Sequence, residues 1–151
     1  MIPIRRLGAD DATLAQTAVR AFKGRANSES SLAAFLANPA NYLLAAIPDG
    51  ESEPAGYLLA YRLQRPDREA AQMFIYEVDV AEGWRRRGLG SALLDEILRL
   101  ARAGDMCEAF VLTSRGNEAA RSLYARTGAV VEDEAAMLFV YPLPDRARGA
   151  A

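Results

Sequence analysis

The chain has 151 residues, of which 51% are hydrophobic, and its 18 basic and 20 acidic side chains give a formal net charge of −2 without any histidine. This length and apolar content suit one globular domain and exclude wholesale disorder. The absence of histidine excludes Ser-His-Asp and Cys-His catalytic centres, and a single cysteine cannot complete a zinc site.

The first half of the chain contains three strand patterns and two helix patterns. Asp10 is placed to cap the first helix, and Pro39 follows the end of the second. A turn is favoured at Pro48-Asp49-Gly50-Glu51, so the strands on either side of it should form an antiparallel hairpin. The predicted elements are, in order, a strand over residues 2–7, helices over 11–22 and 31–38, and strands over 42–47 and 55–63.

The second half begins with a polar stretch at 64–69, which we interpret as a loop because it contains Pro66. Gly104 and Gly128 mark the ends of two further helices, and residues 142–151 have the composition of a frayed tail. The predicted elements are a strand over 73–80, a helix over 91–103, a strand over 109–113, a helix over 117–127, and closing strands over 130–131 and 137–141.

This order of elements predicts a single α/β domain over residues 1–151 with a mixed sheet. The longest apolar runs fall far short of the ~20 residues that span a bilayer, and the start of the chain lacks the features of a signal peptide. Cys107 is the only cysteine, so an internal disulfide is excluded. We therefore expect a cytoplasmic protein without a membrane partner.

The most informative segment is a basic, glycine-containing turn between the strand at 73–80 and the helix that follows it. Backbone N–H groups at the start of a helix lack helical partners, and glycines let a ligand approach closely, so this turn suits a pyrophosphate. An ordinary basic loop is the alternative. A dinucleotide fingerprint needs a small residue where Leu93 stands, and a Gly-Lys-Ser/Thr P-loop is missing. The residues of the turn are Arg85, Arg86, Arg87, Gly88, Leu89, Gly90 and Ser91.

Two motifs here resemble those of the GNAT acetyltransferases. Arg85-x-x-Gly88-x-Gly90 is similar to the acetyl-CoA motif of that family and lies between a central strand and a helix, as it does there. Asn117-x-x-Ala120-x-x-x-Tyr124 is similar to the second signature and follows at about the usual distance. The resemblance implies a GNAT-like fold: a mixed, mostly antiparallel central sheet, flanked by helices and splayed at its central strands.

Within that family, the strand and turn most resemble aminoglycoside 3-N-acetyltransferases of type I. Glu77 falls at the position of an aspartate in their Tyr-Asp-Leu-Ala-Val type of strand, which keeps the carboxylate but lengthens it by a methylene. Asp79 replaces a small residue, which is a further departure. The resemblance implies transfer of an acetyl group to the 3-amino group of an aminoglycoside, the chemistry of antibiotic resistance.

The resemblance also implies which residues bind the cosubstrate acetyl-CoA. Its pyrophosphate would lie on the backbone of residues 86–91, supported by Arg85 or Arg87. Its pantetheine arm would pair with the strand backbone at Val78, Asp79 and Val80, and the N–H of Val78 would face the thioester carbonyl. Further contacts are expected from Asn117, Ala120 and Tyr124, although capping of a helix is an adequate alternative role for Asn117.

Two side chains are implied in catalysis. Glu77 is the candidate for receiving the proton that the acceptor amine must lose, directly or through water, and its alternative role is to anchor the cation. Tyr124 is the candidate for protonating the leaving CoA thiolate, because a phenol of pKa about 10 is a sensible donor to it. Packing alone is the alternative for Tyr124. Cys107 has no accompanying base, so we expect a passive thiol.

Several acidic residues are candidates for binding a cationic acceptor. The two strand carboxylates, Glu77 and Asp79, share one face because they are two residues apart. Glu29 lies between the first two helices, in a loop that often forms the acceptor wall in this family. Asp133 and Glu134 belong to an acidic stretch that would attract a polycation, or that is simply a solvated charge run.

Other functions stay open on the sequence alone. The acceptor could be a protein N-terminus, a lysine or a metabolic amine, and a non-catalytic acyl-CoA-binding module belongs to a different class. One basic stretch on a chain of net charge −2 argues only weakly for nucleic-acid binding. We expect a small-molecule amine as partner, no nucleic acid and no metal. Family members are often dimers, so a homodimer stays open as well.

Overall fold

A computed structural model gives the fold of residues 2–144, in which five strands form one sheet in the order of the chain. The first four strands pair antiparallel, whereas the fifth runs parallel to the fourth. This mixed, mostly antiparallel sheet confirms the predicted fold class. The strands are β1 Ile4–Arg6, β2 Asn41–Ala46, β3 Gly56–Arg65, β4 Arg68–Val80 and β5 Glu108–Val111.

Helices cover both faces of the sheet and give the domain two hydrophobic cores. One core lies between the first two helices and strands β2 and β3, and the other lies between the later helices and all five strands. The apolar stripe of the third helix is confirmed, since Leu93, Leu94, Ile97 and Ala101 are buried and Leu98 packs against them. The helices are α1 Ala12–Lys23, α2 Glu29–Ala37, α3 Leu89–Ala103 and α4 Glu118–Arg126.

A β-bulge in β4 decides which way its carboxylates face. Leu59 of β3 pairs with Glu77, but the next residue of β3 pairs with Ile75, so Tyr76 is an extra residue in β4. Ile75 and Val78 consequently both pack on the α3 side. Without the bulge, Glu77 would share the face of Ile75 and lie under α3. The bulge instead directs Glu77 and Asp79 to the α1–α2 face.

The stretch predicted as a loop at 64–69 is a tight hairpin, so that prediction was wrong. β3 runs to Arg65 and β4 begins at Arg68, with only Pro66 and Asp67 between them. The carboxylate of Asp67 accepts two hydrogen bonds, of 2.8 and 3.0 Å, from the guanidinium of Arg65. A proline in the turn and this bidentate clamp close the hairpin.

Two smaller predictions were also wrong. Asp10 lies in a 3₁₀ turn, Ala9–Asp11, and does not cap α1. Residues 130–131 and 137–141 form no strands, because the chain after α4 runs without regular structure to residue 144 and leaves the apolar side chains of 137–141 between 71% and 87% exposed. Of the predicted tail, residues 142–144 are irregular and 145–151 lie outside the described range.

Candidate active site

The sheet opens where β4 and β5 diverge. β5 pairs with β4 only from Gln72 to Ile75, so the last third of β4 has no neighbour on that side. The N–H of Ala81 donates to the carbonyl of Ala55, which fixes the phase of the antiparallel ladder with β3. Hydrogen-bonded and non-hydrogen-bonded residue pairs alternate along such a ladder, and Val78 belongs to a non-hydrogen-bonded pair. Its N–H therefore points away from β3 and into this opening.

The turn that follows β4 presents backbone donors without partners. Arg86 and Gly88 have positive φ values of 62° and 79°, on either side of Arg87. The first helical bond of α3 is the one from Ala92 to Gly88. Within residues 2–144 no hydrogen bond comes from the N–H groups of residues 86–91. Six consecutive free donors that end at a helix N-terminus suit the binding of an anion.

Two of the arginines in this turn hold its shape. Arg85 donates from Nε to the carbonyl oxygen of Val80 at 3.1 Å, which ties the turn to the end of β4. The guanidinium of Arg87 lies 4.8 Å from the ring centre of Trp84, a cation–π contact. Both side chains are exposed, and their remaining donors are available to phosphate oxygens.

A cavity of about 230 Å³ lies at the opening between β4 and β5. It brings together both strand carboxylates and the motif at the start of α4, which are separated by about 40 residues in the sequence. Its walls come from α1, β3, β4, the segment after β5, and α4. The lining residues that the sequence predicts are Glu77, Val78, Asp79, Asn117, Ala120 and Tyr124. Those that it did not predict are Lys23, Tyr57, Tyr76, Leu112 and Thr113.

α4 places Tyr124 in this cavity. The side chain of Asn117 accepts a hydrogen bond of 3.1 Å from the N–H of Ala120, so it caps the helix as expected. Gly90 of α3 lets α4 approach closely, since a Cβ there would come within 3.1 Å of the Leu123 side chain. Burial raises the pKa of Tyr124 above its ordinary value of 10.0, which keeps the phenol protonated at neutral pH.

Glu77 has an internal partner on each carboxylate oxygen. The hydroxyl of Tyr57, which is only 2% exposed, donates to Oε2. The ammonium of Lys23 donates to Oε1 at 2.8 Å and forms an ion pair with it. The hydrogen bond and charge of Glu77 raise the pKa of Lys23 above its ordinary 10.5. Neither partner was predicted, although Lys23 is the only lysine among the 18 basic residues.

A second cavity, of about 200 Å³, lies under α1 and α2 on the same side of the sheet. Most of its walls are apolar or aromatic, and its ionic groups are Lys23 and Glu77. These two residues and Tyr57 line both cavities, so the ion pair stands between them. Its lining residues are Val19, Lys23, Asn27, Leu32, Phe35, Leu43, Tyr57, Leu59, Tyr61 and Glu77.

The remaining predicted residues lie outside both cavities. The N–H of Val80 donates to the carboxylate of Asp79 at 3.0 Å, so that donor is already occupied. Glu29 is the first residue of α2. Asp133 accepts a hydrogen bond from the N–H of Ala135, and the carbonyl of Glu134 accepts one from Arg115. Neither cavity includes Glu29, Asp133 or Glu134.

No group of three or more cysteine, aspartate or glutamate residues within 2–144 is arranged to hold a metal ion. Over the same range, no helix has the length and apolar character needed to cross a bilayer.

Comparison with known proteins places this fold among acetyltransferases. Residues 12–129 match the model of the acetyltransferase (GNAT) family. A search of curated proteins gave no match. An aminoglycoside acetyltransferase from an uncultured soil metagenomic sample, solved with sisomicin, is similar in structure. Its TM-score is 0.86 at 21% identity, over 95% of this chain and 97% of that one.

Two other solved structures share the fold. A second aminoglycoside acetyltransferase from an uncultured soil metagenomic sample has a TM-score of 0.84 at 24% identity, over 95% of this chain and 99% of that one. A ribosomal-protein-alanine N-acetyltransferase from Brucella melitensis biovar Abortus 2308 has a TM-score of 0.71 at 20% identity, over 93% of this chain and 100% of that one. At these identities the likeness concerns the fold.

Proposed function

The chain belongs to the acetyltransferase (GNAT) family, and we propose that it transfers an acetyl group from acetyl-CoA to an amine of a small polycation, the 3-amino group of an aminoglycoside. The observation that carries this proposal is the position of Glu77. Its carboxylate lines a cavity at the splayed strands, directly before an anion-binding turn. We further propose that the protein works in the cytoplasm, as its single cysteine suggests.

The residues present suit acetyl-CoA. The six N–H groups of residues 86–91, which have no partner among the described residues, match a pyrophosphate, and Arg85 and Arg87 add positive charge to the same turn. The unpaired edge of β4 offers the N–H of Val78 to a pantetheine amide or thioester. Bound there, acetyl-CoA supplies the activated acetyl group. Asn117 and Ala120 would form the opposite wall of the cavity.

The proposed chemistry assigns one task to each group. The acceptor ammonium gives a proton to Glu77, directly or through water, and its nitrogen then bonds to the carbonyl carbon. The N–H of Val78 stabilises the negative charge that develops on the carbonyl oxygen, an effect worth roughly 10²–10³ in rate elsewhere. The carbon–sulfur bond breaks, and Tyr124 protonates the thiolate, which leaves as CoA. The phenolate of Tyr124 then takes the second proton of the acceptor nitrogen, so that a neutral amide remains.

An aminoglycoside is the acceptor that the comparisons favour. Two solved structures with TM-scores of 0.84 or more are aminoglycoside acetyltransferases, and one of them is bound to sisomicin. Glu77 and Asp79 line the same cavity, so two ammonium groups of one acceptor could be bound side by side. Acetylation would remove one positive charge from the drug.

A protein N-terminus is the competing acceptor. The ribosomal-protein-alanine acetyltransferase has the same fold, and fold alone does not select between the two amines. The second cavity, with its aromatic walls, could hold an apolar side chain next to such an amine. This acceptor class therefore belongs in the same test.

The test is a thiol-release assay with acetyl-CoA and a panel of amines. The panel contains sisomicin, gentamicin, a simple diamine, a lysine peptide and an alanine-terminated peptide. We expect turnover with the aminoglycosides and none with the peptides. Turnover on a peptide alone would replace the aminoglycoside by a protein acceptor, and no thiol release with any amine would contradict the proposed activity.

A further inference from the structure

Lys23 is unusual both in the sequence and in its place. The chain uses arginine for every basic side chain except this one. Lys23 is the last residue of α1, and its side chain is 47% exposed while its ammonium contacts Glu77 at 2.8 Å. Arginine would bind a carboxylate with a rigid fork, whereas the lysine ammonium is a compact point charge on a flexible stem.

The ion pair occupies the position that an acceptor amine would need. Both oxygens of Glu77 are already hydrogen-bonded, one by Tyr57 and the other by Lys23. Tyr57 is buried and cannot withdraw, whereas Lys23 can turn into solvent. The three residues line both cavities, so the ion pair is accessible from either of them.

We propose that Lys23 holds the place of the acceptor's ammonium on Glu77 and is displaced from it when the acceptor binds. It is a positioning residue that acts through Glu77, and the inference rests on the proposed function. Exchange of one ammonium for another keeps the charge of the site constant. An acceptor without a positive charge cannot make that exchange, so the ion pair selects cationic amines.

The surroundings of Lys23 agree with this role. Its hydrogen bond and charge interaction with Glu77 raise its pKa, and the charge of Asp79 adds to that effect. Lys23 therefore stays protonated at every pH at which the enzyme would be assayed. The cost of displacing it is that of breaking one partly solvated ion pair, which is small enough for a ligand to overcome.

The first experiment separates KM from kcat in the variant Lys23→Met. Because the internal competitor is removed, the KM for sisomicin is expected to fall about two- to five-fold, the range of a partly exposed ion pair. The conservative variant Lys23→Arg should restore a KM at or above that of the wild type. Arg20 lies on the same helix and forms no ion pair within residues 2–144. The control variant Arg20→Met therefore removes one positive charge without breaking an ion pair, and it should leave KM unchanged.

The second experiment tests whether the effect passes through Glu77. Sisomicin affinity is measured by calorimetry in the presence of CoA for the wild type, Lys23→Met, Glu77→Gln and the double variant. The gain from Lys23→Met should vanish in the Glu77→Gln background. An equal gain in both backgrounds, an equal gain in Arg20→Met, or a fall in kcat with unchanged KM would each overturn the inference.

The third experiment does not depend on turnover. Reductive methylation with a ¹³C label marks the N-terminus and a single side chain, Lys23, since no other lysine exists. Saturating sisomicin should move the Lys23 signal to its position in the Glu77→Gln variant, and a signal that stays in place overturns the inference whether or not amines are acetylated. A displaced signal without acetylation of any amine would contradict only the proposed function.

Discussion

The carboxylate of Glu77 is oriented by its surroundings before any acceptor arrives. Tyr57 fixes one oxygen from a buried position in β3, and the β4 bulge points the side chain away from α3. A group fixed in this way can receive a proton without first being reoriented. The neighbouring Asp79 accepts a hydrogen bond from the N–H of Val80, which fixes its carboxylate beside that of Glu77 in the same cavity.

We therefore expect Glu77→Gln to lower kcat by roughly 10²-fold or more, because the amide cannot accept the acceptor's proton. Acetyl-CoA affinity should be nearly unchanged, since the anion-binding turn is not altered. Thiol release gives kcat and calorimetry gives the affinity. Glu82→Gln, at an exposed carboxylate just after β4, is the matched control. Unaltered kcat in Glu77→Gln would leave the residue with the role of a cation anchor.

Tyr124→Phe should slow turnover by about ten-fold, within the span of general-acid effects. Burial raises the pKa of Tyr124 above 10.0, so the donor form persists through neutral pH and beyond pH 10. The ratio of wild-type to variant rates should thus be level from neutral pH to about pH 10 and decline only above it. Tyr42→Phe in β2 is the control. A wild-type rate in Tyr124→Phe would assign the phenol to packing.

At the scale of elements, the turn between β4 and α3 depends on its backbone conformation. Gly88 has a φ of 79°, and a Cβ at this position would meet no atom within 4 Å. Conformation, and not space, thus selects glycine here. The left-handed conformation costs other residues roughly 1–2 kcal/mol. A residue that leaves this conformation would change the direction of the free N–H groups on either side of it.

Gly88→Ala is accordingly expected to weaken acetyl-CoA binding by roughly five- to thirty-fold, the equivalent of that conformational cost. Gly88→Asn should lose less, because asparagine tolerates the left-handed region better. Gly83→Ala, at a nearby glycine without positive φ, should bind like the wild type. Calorimetric titration provides the comparison. Equal affinity in Gly88→Ala and Gly83→Ala would show that the turn does not need its left-handed residue.

The sequence predicted those elements whose apolar spacing or capping residues lie within the element itself. α3 shows a continuous apolar stripe, and α4 has its cap at Asn117, so both helices were found close to their true bounds. The hairpin at Pro66-Asp67 was missed because proline indicates a turn or a loop equally well, and only pairing between β3 and β4 decides. Residues 137–141 have strand composition, yet composition cannot supply a partner strand.

In the candidate site, too, the features with a local sequence signal were predicted and those that depend on distant residues were not. The turn at residues 85–91 and the start of α4 are contiguous motifs, and Glu77 was predicted from the resemblance of its strand to that of the aminoglycoside 3-N-acetyltransferases. The ion pair of Lys23 joins residues 54 positions apart, and no periodicity connects them. The β4 bulge also has no local signature, although it decides which face Glu77 occupies. The only signal in the sequence that could have drawn attention to Lys23 is that it is the single lysine of the chain.

At the scale of the molecule, the candidate active site joins the two layers of helices. Lys23 reaches it from α1 on one face of the sheet, while Tyr124 comes from α4, which packs with α3 on the other. The divergence of β4 from β5 lets both layers meet at one cavity. A ligand bound along this opening would contact elements of both cores and should resist their separation.

Acetyl-CoA is therefore expected to stabilise the whole domain. At a hundred-fold excess over its dissociation constant, a ligand that binds only the folded state adds about 2.7 kcal/mol, which raises the Tm of a domain of this size by about 5–10 °C. Thermal unfolding followed by circular dichroism measures the shift. NADH, which shares the diphosphate but lacks the pantetheine arm, should give a smaller one because it cannot pair with β4. An equal shift for both would limit recognition to the turn, and no shift with acetyl-CoA would contradict the anion-binding role of residues 86–91.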